Sequence, residues 1–284
     1  MAVTTAGAPL VLAAPAKVNY FLHVTGRRAD GYHTLESLFV LIDLADTVTL
    51  TPRTDGEIVR TREVAGVTED DDLAMRAAHA LKRATRSRNG VSIELAKRIP
   101  VGGGLGGGSS DAASVLLGLN RLWSLRLSRA ALADVGAGLG ADVPFFIVGE
   151  NAMARGIGEL LAPASVPTAW LVVATPDAHS ATHQMFAARE LTRDAPSAKI
   201  DVFSEGYGRN DLEPVVRARL PAVADAIDAL RRFNAGARMT GSGACAFAAF
   251  AKEVEARAAH AALPRGLRGI VARTLTRHPL ASFA

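Results

Sequence analysis

The sequence lacks the features of a secreted or membrane protein. Cys245 is the only cysteine among the 284 residues, so no internal disulfide can form, as is usual in the reducing cytosol. No apolar run reaches the roughly 18 residues that a membrane helix needs. The apolar stretch 8–16 (APLVLAAPA) has no lysine or arginine before it, unlike a signal peptide, and predicts a buried strand. We therefore expect a soluble, cytoplasmic protein with no membrane partner.

Aromatic residues are also scarce, at 5% of the chain, and they are not interleaved with basic residues. The net charge is +4, and the arginines are scattered in pairs such as Arg27–Arg28 and Arg231–Arg232. A surface for single-stranded nucleic acid combines a basic groove with stacking aromatics. The composition therefore gives no support for a nucleic-acid partner, and a small anionic ligand accounts for the charge equally well.

Strand and helix patterns follow one another irregularly, which predicts an α+β fold rather than a regular strand–helix alternation. Hydrophobic residues make up 49% of the chain, enough for one large core or two ordinary ones. In the first half we predict strands at 10–13, 18–24, 36–44, 47–51 and 91–95, and helices at 71–84, 109–123 and 128–140. The pattern restarts near Gly156, with strands at 169–176, 244–250 and 269–275 and helices at 182–191, 211–220, 222–233 and 252–263. We therefore expect two domains, 1–156 and 157–284.

A glycine-rich loop is the most unusual feature of the sequence. Six glycines stand within residues 102–108, after a predicted strand and before a helix for which Ser109 or Ser110 is the expected N-cap. This order directs backbone N–H groups and a helix N-terminus to one place, and both favour negative charge. Glycine also lets the backbone approach a ligand closely. The segment therefore predicts a phosphate-binding loop.

The two best-known phosphate motifs do not account for this loop. Its spacing matches the dinucleotide fingerprint G-x-G-x-x-G, but no Asp or Glu follows anywhere in 112–132, and the next element is another predicted helix. A P-loop requires Gly-Lys-Ser/Thr, and the chain has no lysine between Lys97 and Lys199. The loop therefore predicts a phosphate site of a different class, and the alternative is a flexible surface loop or a tight turn.

Three other stretches carry polar residues in apolar surroundings. Lys17 lies within a predicted strand, and Asp142 lies between a helix end and a predicted apolar strand, where a buried carboxylate would need a cation such as Lys17. Tyr32 and His33 follow an Asp-Gly turn, from which an aromatic and an imidazole can stack on and hydrogen-bond a ring-shaped ligand. The small-residue segment 239–247 (MTGSGACAF) could close over the phosphates.

Taken together, four segments resemble the GHMP family of small-molecule kinases. They are PAKVNYFLHVTGRRADGYH, PVGGGLGGGSSDAAS, GADVPFF and TGSGACAF, and the resemblance extends over residues 12–276. GRRADGYH and GADVP make the chain most similar to members that phosphorylate the 2-hydroxyl of a CDP-linked methylerythritol in isoprenoid biosynthesis. The resemblance implies the two-domain GHMP kinase fold, with an S5-like N-terminal ATP-binding domain and a ferredoxin-like C-terminal domain. It also implies ATP as phosphoryl donor, with Mg²⁺.

The resemblance assigns roles to individual residues. Asp142 would accept the proton of the attacking hydroxyl, and Lys17 would pair with it near the transferring group. Tyr32 and Phe186 would sandwich the cytosine, His33 would hydrogen-bond it, and Asn19 and Thr182 would contact the substrate. Ser110 would also be a candidate contact for magnesium. The residues expected around ATP are Lys97, near the adenine, and Pro100, Gly102, Gly103, Gly104, Leu105, Gly106, Gly107, Gly108, Ser109 and Ser110.

Two alternatives stay open from the sequence. One is another GHMP kinase, acting on homoserine, mevalonate or a sugar, although DGYH argues for a substrate that carries a base. The other is a catalytically silent nucleotide- or RNA-binding module on an S5-like fold, against which Lys17 and Asp142 argue. In either kinase case we expect a small-molecule substrate as the partner and a monomer or weak homodimer.

Overall fold

The computed structural model describes residues 7–196 and 208–284. Its first part contains a six-stranded sheet and four helices. The strands are β1 (Leu10–Arg27), β2 (His33–Arg53), β3 (Ile58–Arg60), β4 (Gly90–Ala96), β5 (Ala152–Arg155) and β6 (Leu160–Pro163). The helices are α1 (Leu73–Thr85), α2 (Gly107–Leu122), α3 (Arg129–Ala137) and α4 (Val143–Val148). Long β2 pairs with β1 on one edge, and with β4 and β5 on the other.

The second part contains a four-stranded antiparallel sheet. Its strands are β7 (Trp170–Thr175), β8 (Arg238–Met239), β9 (Ala246–Phe250) and β10 (Arg268–Arg273). Its helices are α5 (Thr182–Phe186), α6 (Glu213–Arg219), α7 (Pro221–Arg231) and α8 (Glu253–Ala261). The strands lie in the sheet in the order β10-β7-β9-β8. Along the chain, helices lie between β7 and β8 and between β9 and β10. This is the β-α-β-β-α-β arrangement of ferredoxin-like folds, in agreement with the expectation for this half.

Apolar side chains form three cores that separate four layers. One core lies between the six-stranded sheet and α1–α4, and a second between the four-stranded sheet and α5–α8. The third lies between the two sheets, where β1 and β2 meet β7 and β9. The last strand of the six-stranded sheet ends at Pro163, beyond the boundary expected at Gly156, and the division into two domains stays a prediction.

The prediction of four short strands in residues 10–51 is wrong about their ends: the first two form one strand, β1, and the last two form one strand, β2. The merger occurs because β-bulges absorb the breaks in the pattern, including one between Pro15 and Ala16. Before this bulge the even-numbered Leu12 and Ala14 face the helices, and after it the even-numbered Ala16 and Val18 face the other sheet. The partner of β1 changes there from Ala45 to Ile42, which skips two residues of β2, and the two faces of β1 are exchanged across this irregularity. Lys17 is thereby placed on the helix side.

No helix within 7–196 and 208–284 has both the length and the apolar character needed to cross a lipid bilayer.

Candidate active site

Two cavities meet at the glycine-rich loop. The larger has a volume of about 1090 Å³ and is bordered by β1, the turn before β2, α5 and the loop 241–243. The smaller has a volume of about 460 Å³ and lies between the glycine loop, the start of α1 and Lys97. Gly102, Gly104 and Gly106 line both cavities. The loop is therefore the wall between two chambers, and a group held by its backbone can be reached from both.

The glycine loop packs so closely against the loop 240–245 that Gly104 has no room for a side chain. Gly104 has φ +77°, and a Cβ there would lie 2.3 Å from the carbonyl oxygen of Thr240. The N–H of Cys245 donates to the carbonyl of Gly103 at 3.1 Å, and the Thr240 hydroxyl donates to the carbonyl of Gly104 at 3.5 Å. The segment singled out as a second small-residue loop therefore supports the first one.

Helix α2 begins earlier than the sequence predicts. The expected serine N-cap is wrong: the N-cap is Gly106, at φ +71°, and no side chain caps the helix. Gly106 can adopt this left-handed conformation without a Cβ penalty, so the helix starts before the serines. Ser109 and Ser110 lie in its first turn instead. Uncapped N–H groups at the start of a 16-residue helix are suited to an anion.

The Ser110 hydroxyl is buried and, within the part of the chain that the structure describes, has no hydrogen-bond partner. The same holds for the hydroxyl of Ser114, one turn later, and for Oδ1 of Asp111. A buried polar atom without a partner carries a cost in free energy that a ligand or ion can remove. Of these three residues only Asp111 lines the smaller cavity, whereas Ser110 and Ser114 are fully buried and line neither cavity.

Lys17 and Asp142 come together, as the sequence predicts. The Lys17 ammonium lies 3.4 Å from Oδ2 of Asp142, and it donates to Oδ1 of Asn19 at 2.6 Å. It also lies 4.8 Å from the centre of the Phe39 ring. The lysine side chain is 4% exposed and the aspartate 29%, so the pair is shielded at one end and open to the larger cavity at the other.

The element that carries Asp142 differs from the prediction. Residues 143–148 (VPFFIV), expected as a strand, form α4, because Pro144 in its first turn is compatible with a helix start. Asp142 is at the N-cap position but its side chain makes no capping hydrogen bond. Its carboxylate is therefore available to Lys17 and to a ligand in the larger cavity.

Asn19 connects the lysine to the second half of the chain. Its side-chain NH₂ donates to the Ser37 hydroxyl at 2.8 Å, which fixes the amide so that Oδ1 faces Lys17. Its backbone N–H donates to the Thr240 hydroxyl at 2.9 Å. Asn19 is therefore held from both sides, and it lines the larger cavity as expected of a substrate contact.

Lys97 lines the smaller cavity, but its ammonium is already engaged. It lies between the carboxylates of Asp46 and Asp111, both buried, and pairs with each. Burial raises the pKa of Asp111 to about 7 against the opposing effect of Lys97, and the nearby Asp46 carboxylate adds to the rise. Two carboxylates raise the pKa of Lys97 despite its burial. Lys97, directly after β4, therefore joins the end of that strand to β2 through Asp46 and to α2 through Asp111, beneath the glycine loop.

The residues expected around the base, Tyr32, His33 and Phe186, all line the larger cavity, and so does Thr182, which is expected to contact the substrate. The rings of His33 and Phe186 are in tilted contact, with centroids 5.3 Å apart and an angle of 30° between their planes. Tyr32 is 62% exposed, which leaves its ring surface available to a ligand. The preceding turn holds its backbone: the N–H of Tyr32 donates to Oδ1 of Asp30 at 3.2 Å, and its carbonyl accepts from the N–H of Arg28 at 2.7 Å.

Comparisons with known proteins agree with this architecture. A sequence model described as the GHMP kinases N terminal domain matches residues 72–150, and one described as GHMP kinases C terminal matches residues 188–269. The two matches cover more than half of the chain. The chain belongs to the GHMP kinases. Members of this family are small-molecule phosphotransferases, so this GHMP kinase is an enzyme of that type, and the family implies ATP as the phosphoryl donor.

The GHMP kinase is similar over nearly its whole length to proteins named 4-diphosphocytidyl-2-C-methyl-D-erythritol kinase. The one from Thiobacillus denitrificans is 57% identical, over 95% of this chain and 97% of the relative. The one from Nitrosospira multiformis is 51% identical, over 98% of this chain and 95% of the relative. A crystal structure of 4-(cytidine 5'-diphospho)-2C-methyl-D-erythritol kinase has a TM-score of 0.83 at 34% identity, covering 93% of this chain and 99% of that one.

Several residues that shape the site of this GHMP kinase were not predicted from the sequence. Thr240 lies in a segment that was singled out, but its contacts with Asn19 and Gly104 span more than 130 residues. The pairing of Lys97 with Asp46 and Asp111 could not be predicted, because the partners are 51 and 14 residues away and no sequence pattern marks ion pairs at such separations. No pattern marked Arg193 either, although it contacts two of the base-site residues.

Proposed function

We propose that this GHMP kinase transfers the γ-phosphoryl group of ATP to the 2-hydroxyl of 4-diphosphocytidyl-2-C-methyl-D-erythritol, giving ADP and the 2-phosphate. The reaction belongs to the non-mevalonate route of isoprenoid precursor biosynthesis, and we place it in the cytoplasm. The observation that carries the proposal is the glycine loop as the wall between two cavities, with the Lys17–Asp142 pair at the wall. The identity to relatives of that name supports the choice of substrate.

The smaller cavity is assigned to ATP. The phosphates would lie on the N–H groups of residues 102–110, at the uncapped start of α2, while the adenine would lie toward Lys97 and the start of α1. There Asp72 lines the cavity, although its carboxylate already caps α1 by accepting from the N–H of Ala74 at 2.9 Å. For Mg²⁺, which would neutralise phosphate charge when bound, Ser110 is the proposed ligand because its hydroxyl has no partner within the described residues, although it is fully buried and lines neither cavity.

The larger cavity is assigned to the acceptor. Asp142 takes the proton from the 2-hydroxyl as the hydroxyl oxygen forms its bond to the γ-phosphorus and the bond to the β–γ bridging oxygen breaks. Lys17, 3.4 Å away, pairs with this carboxylate and lies close to the charge that develops on the transferring group. Asn19 holds the ammonium in place through its 2.6 Å hydrogen bond. Phosphoryl transfer depends mainly on such positioning and charge stabilisation.

The far end of the larger cavity is assigned to the cytosine. Tyr32 and Phe186 would hold the base between them, with His33 as a hydrogen-bonding partner and Thr182 closer to the phosphates. Thr182 lines both cavities and its hydroxyl lies 2.7 Å from that of Ser242, next to the glycine loop. The base and the reacting hydroxyl would thus be held by residues from both halves of the chain.

Phosphorus NMR tests the proposal directly. Purified protein is mixed with Mg-ATP and the cytidine-diphospho-methylerythritol, and the expected result is a new phosphomonoester resonance that grows with the ADP signals. D142N, which keeps the side-chain size, serves as the control and should show neither. If folded wild-type protein leaves this substrate untouched and phosphorylates homoserine, mevalonate or a sugar instead, the substrate assignment is wrong.

A further inference from the structure

The guanidinium of Arg193 lies at the junction of three segments that form the base end of the larger cavity. Its Nε donates to Nε2 of His33 at 2.9 Å. One terminal nitrogen donates to the carbonyls of Phe186 at 3.0 Å and Ala188 at 2.6 Å, and the other to that of Leu191 at 2.9 Å. A single half-buried side chain therefore joins the first residue of β2 to the last residue of α5 and the turn beyond it.

These contacts determine the protonation of His33. A guanidinium can only donate hydrogen bonds, so Nε2 of His33 must be a lone-pair acceptor and the ring proton must be on Nδ1. Burial, followed by the charges of Arg193 and Arg27, lowers the pKa of His33, which keeps the ring neutral near neutral pH. His33 is then a fixed N–H donor on its remaining nitrogen. A donor of this kind suits the ring acceptors of a pyrimidine such as cytosine.

The same side chain also fixes Phe186. Helix α5 has only five residues, too short to be stable through its own hydrogen bonds. The chain that follows it is held to the first half by Arg193 and by the N–H of Ala195, which donates to the carbonyl of Val24 on β1 at 3.1 Å. The Phe186 ring packs against His33 at a tilt of 30°, so both rings depend on the same guanidinium.

We propose that Arg193 is a positioning residue for recognition of the base: it holds His33 as the neutral Nδ1–H tautomer and Phe186 in stacking position. This inference rests on the proposed function, because it assigns the cavity end to a cytidine substrate. Arg193 acts through His33 and Phe186.

The first test compares, in steady-state kinetics, the change in KM for the CDP-linked substrate with the change in KM for ATP. R193Q, and R193K which keeps the charge but loses the planar fork, should raise the KM for the CDP-linked substrate about 10- to 100-fold, because misplaced binding groups have effects of this size. The KM for ATP should stay within about twofold, since the smaller cavity is untouched. R189Q, an exposed arginine of the same segment, is the matched control and should behave as wild type.

The second test needs no ligand. In ¹⁵N-histidine NMR, with His33 assigned through H33Q, wild type should show a protonated Nδ1 and an unprotonated Nε2. In R193Q the ring should become a mixture of tautomers with a higher pKa, because the adjacent cation is gone. Isothermal titration with CDP should show the same loss of affinity as the KM values.

The outcomes separate the two claims. If R193Q and R193K bind CDP as wild type does and His33 keeps its Nδ1–H tautomer, the role of Arg193 is refuted. If wild type neither binds CDP nor phosphorylates the CDP-linked substrate, the proposed function has failed, and the tautomer measurement alone decides what Arg193 does to His33. A thermal melt of each variant excludes misfolding as the cause, and R193K replaces R193Q if the latter unfolds.

Discussion

Replacing Gly104 by alanine should disable the kinase without touching any group that reacts. The new Cβ would lie 2.3 Å from the Thr240 carbonyl oxygen and 3.1 Å from that of Gly243. Both are backbone atoms and cannot rotate away. Because real Cβ contacts stay above 3.0 Å, the glycine loop and the loop 240–245 must separate by at least about 0.7 Å, and by about 1 Å to reach ordinary contact.

That separation is transmitted to the Lys17–Asp142 pair, which we propose to be catalytic. The Thr240 hydroxyl accepts from the N–H of Asn19 at 2.9 Å, and Oδ1 of Asn19 accepts from Lys17 at 2.6 Å. A misplacement of about 1 Å can lower the rate about 100-fold. We therefore expect the kcat of G104A to fall by about two orders of magnitude. The left-handed φ of +77° adds a separate cost of about 1–2 kcal/mol in folding stability.

The assay is ADP release under saturating substrates, combined with urea denaturation. G266A is the matched control, because Gly266 has φ +91° and nothing within 4 Å of its Cβ position. It should lose stability of about 1–2 kcal/mol through strain alone while its kcat stays within about twofold of wild type. If G104A keeps a kcat within threefold of wild type, the close contact between the loops does not position Lys17, and the reasoning fails.

Four further predictions follow from the described contacts. D142N should lower kcat by about 10²–10⁴ while the KM for ATP changes little, as measured by ADP release; a rate near that of wild type would remove Asp142 as the base. Y32A should raise the KM for the CDP-linked substrate roughly 10- to 100-fold, since stacking on a base contributes about 1–3 kcal/mol, and should lower kcat less. K97M should lower the free energy of unfolding by about 3–5 kcal/mol, because two buried carboxylates lose their cation, and a urea midpoint equal to that of wild type would contradict this. Burial lowers the pKa of His278 to about 4, so below pH 6.5 the unfolded chain binds a proton that the folded chain does not. The free energy of unfolding should therefore fall by about 2 kcal/mol between pH 7 and pH 5. In urea titrations over the same pH range, H278Q should lose less stability than wild type.

Local sequence signals predicted the parts of the site that lie within one continuous segment. The glycine-rich loop is followed by a helix, and Ser128 caps α3 by accepting from the N–H of Ala131 at 3.2 Å, as its position before an apolar helix indicates. Asp72 caps α1 for the same reason. These contacts span three residues or fewer, so the residue types are enough to predict them. The pairing of Lys17 with Asp142 was reached differently, from the cost of a buried charge without a partner.

Errors arose where backbone geometry decided the outcome. The serines after the glycine loop look like N-caps, but Gly106 reaches a left-handed conformation first and starts the helix earlier. VPFFIV reads as a strand by composition, but Pro144 in the first turn and contacts of both phenylalanines with the helix-side core make it α4. In both cases the backbone conformation of one residue, Gly106 or Pro144, outweighed the secondary-structure propensity of the residues around it.

The orientation of Lys17 shows why the active site could not be read from strand periodicity alone. A regular strand from Leu12 onward would direct the odd-numbered Lys17 into the core between the two sheets, which contains Ala16 and Val18 in the actual fold. An ammonium there would lie among apolar side chains with no carboxylate, at a large cost in free energy. The bulge at Pro15 and Ala16 exchanges the faces, so that Lys17 meets Asp142 and Asn19 instead. The strand irregularity that hides the long β1 from sequence patterns is therefore the feature that brings Lys17 and Asp142 together.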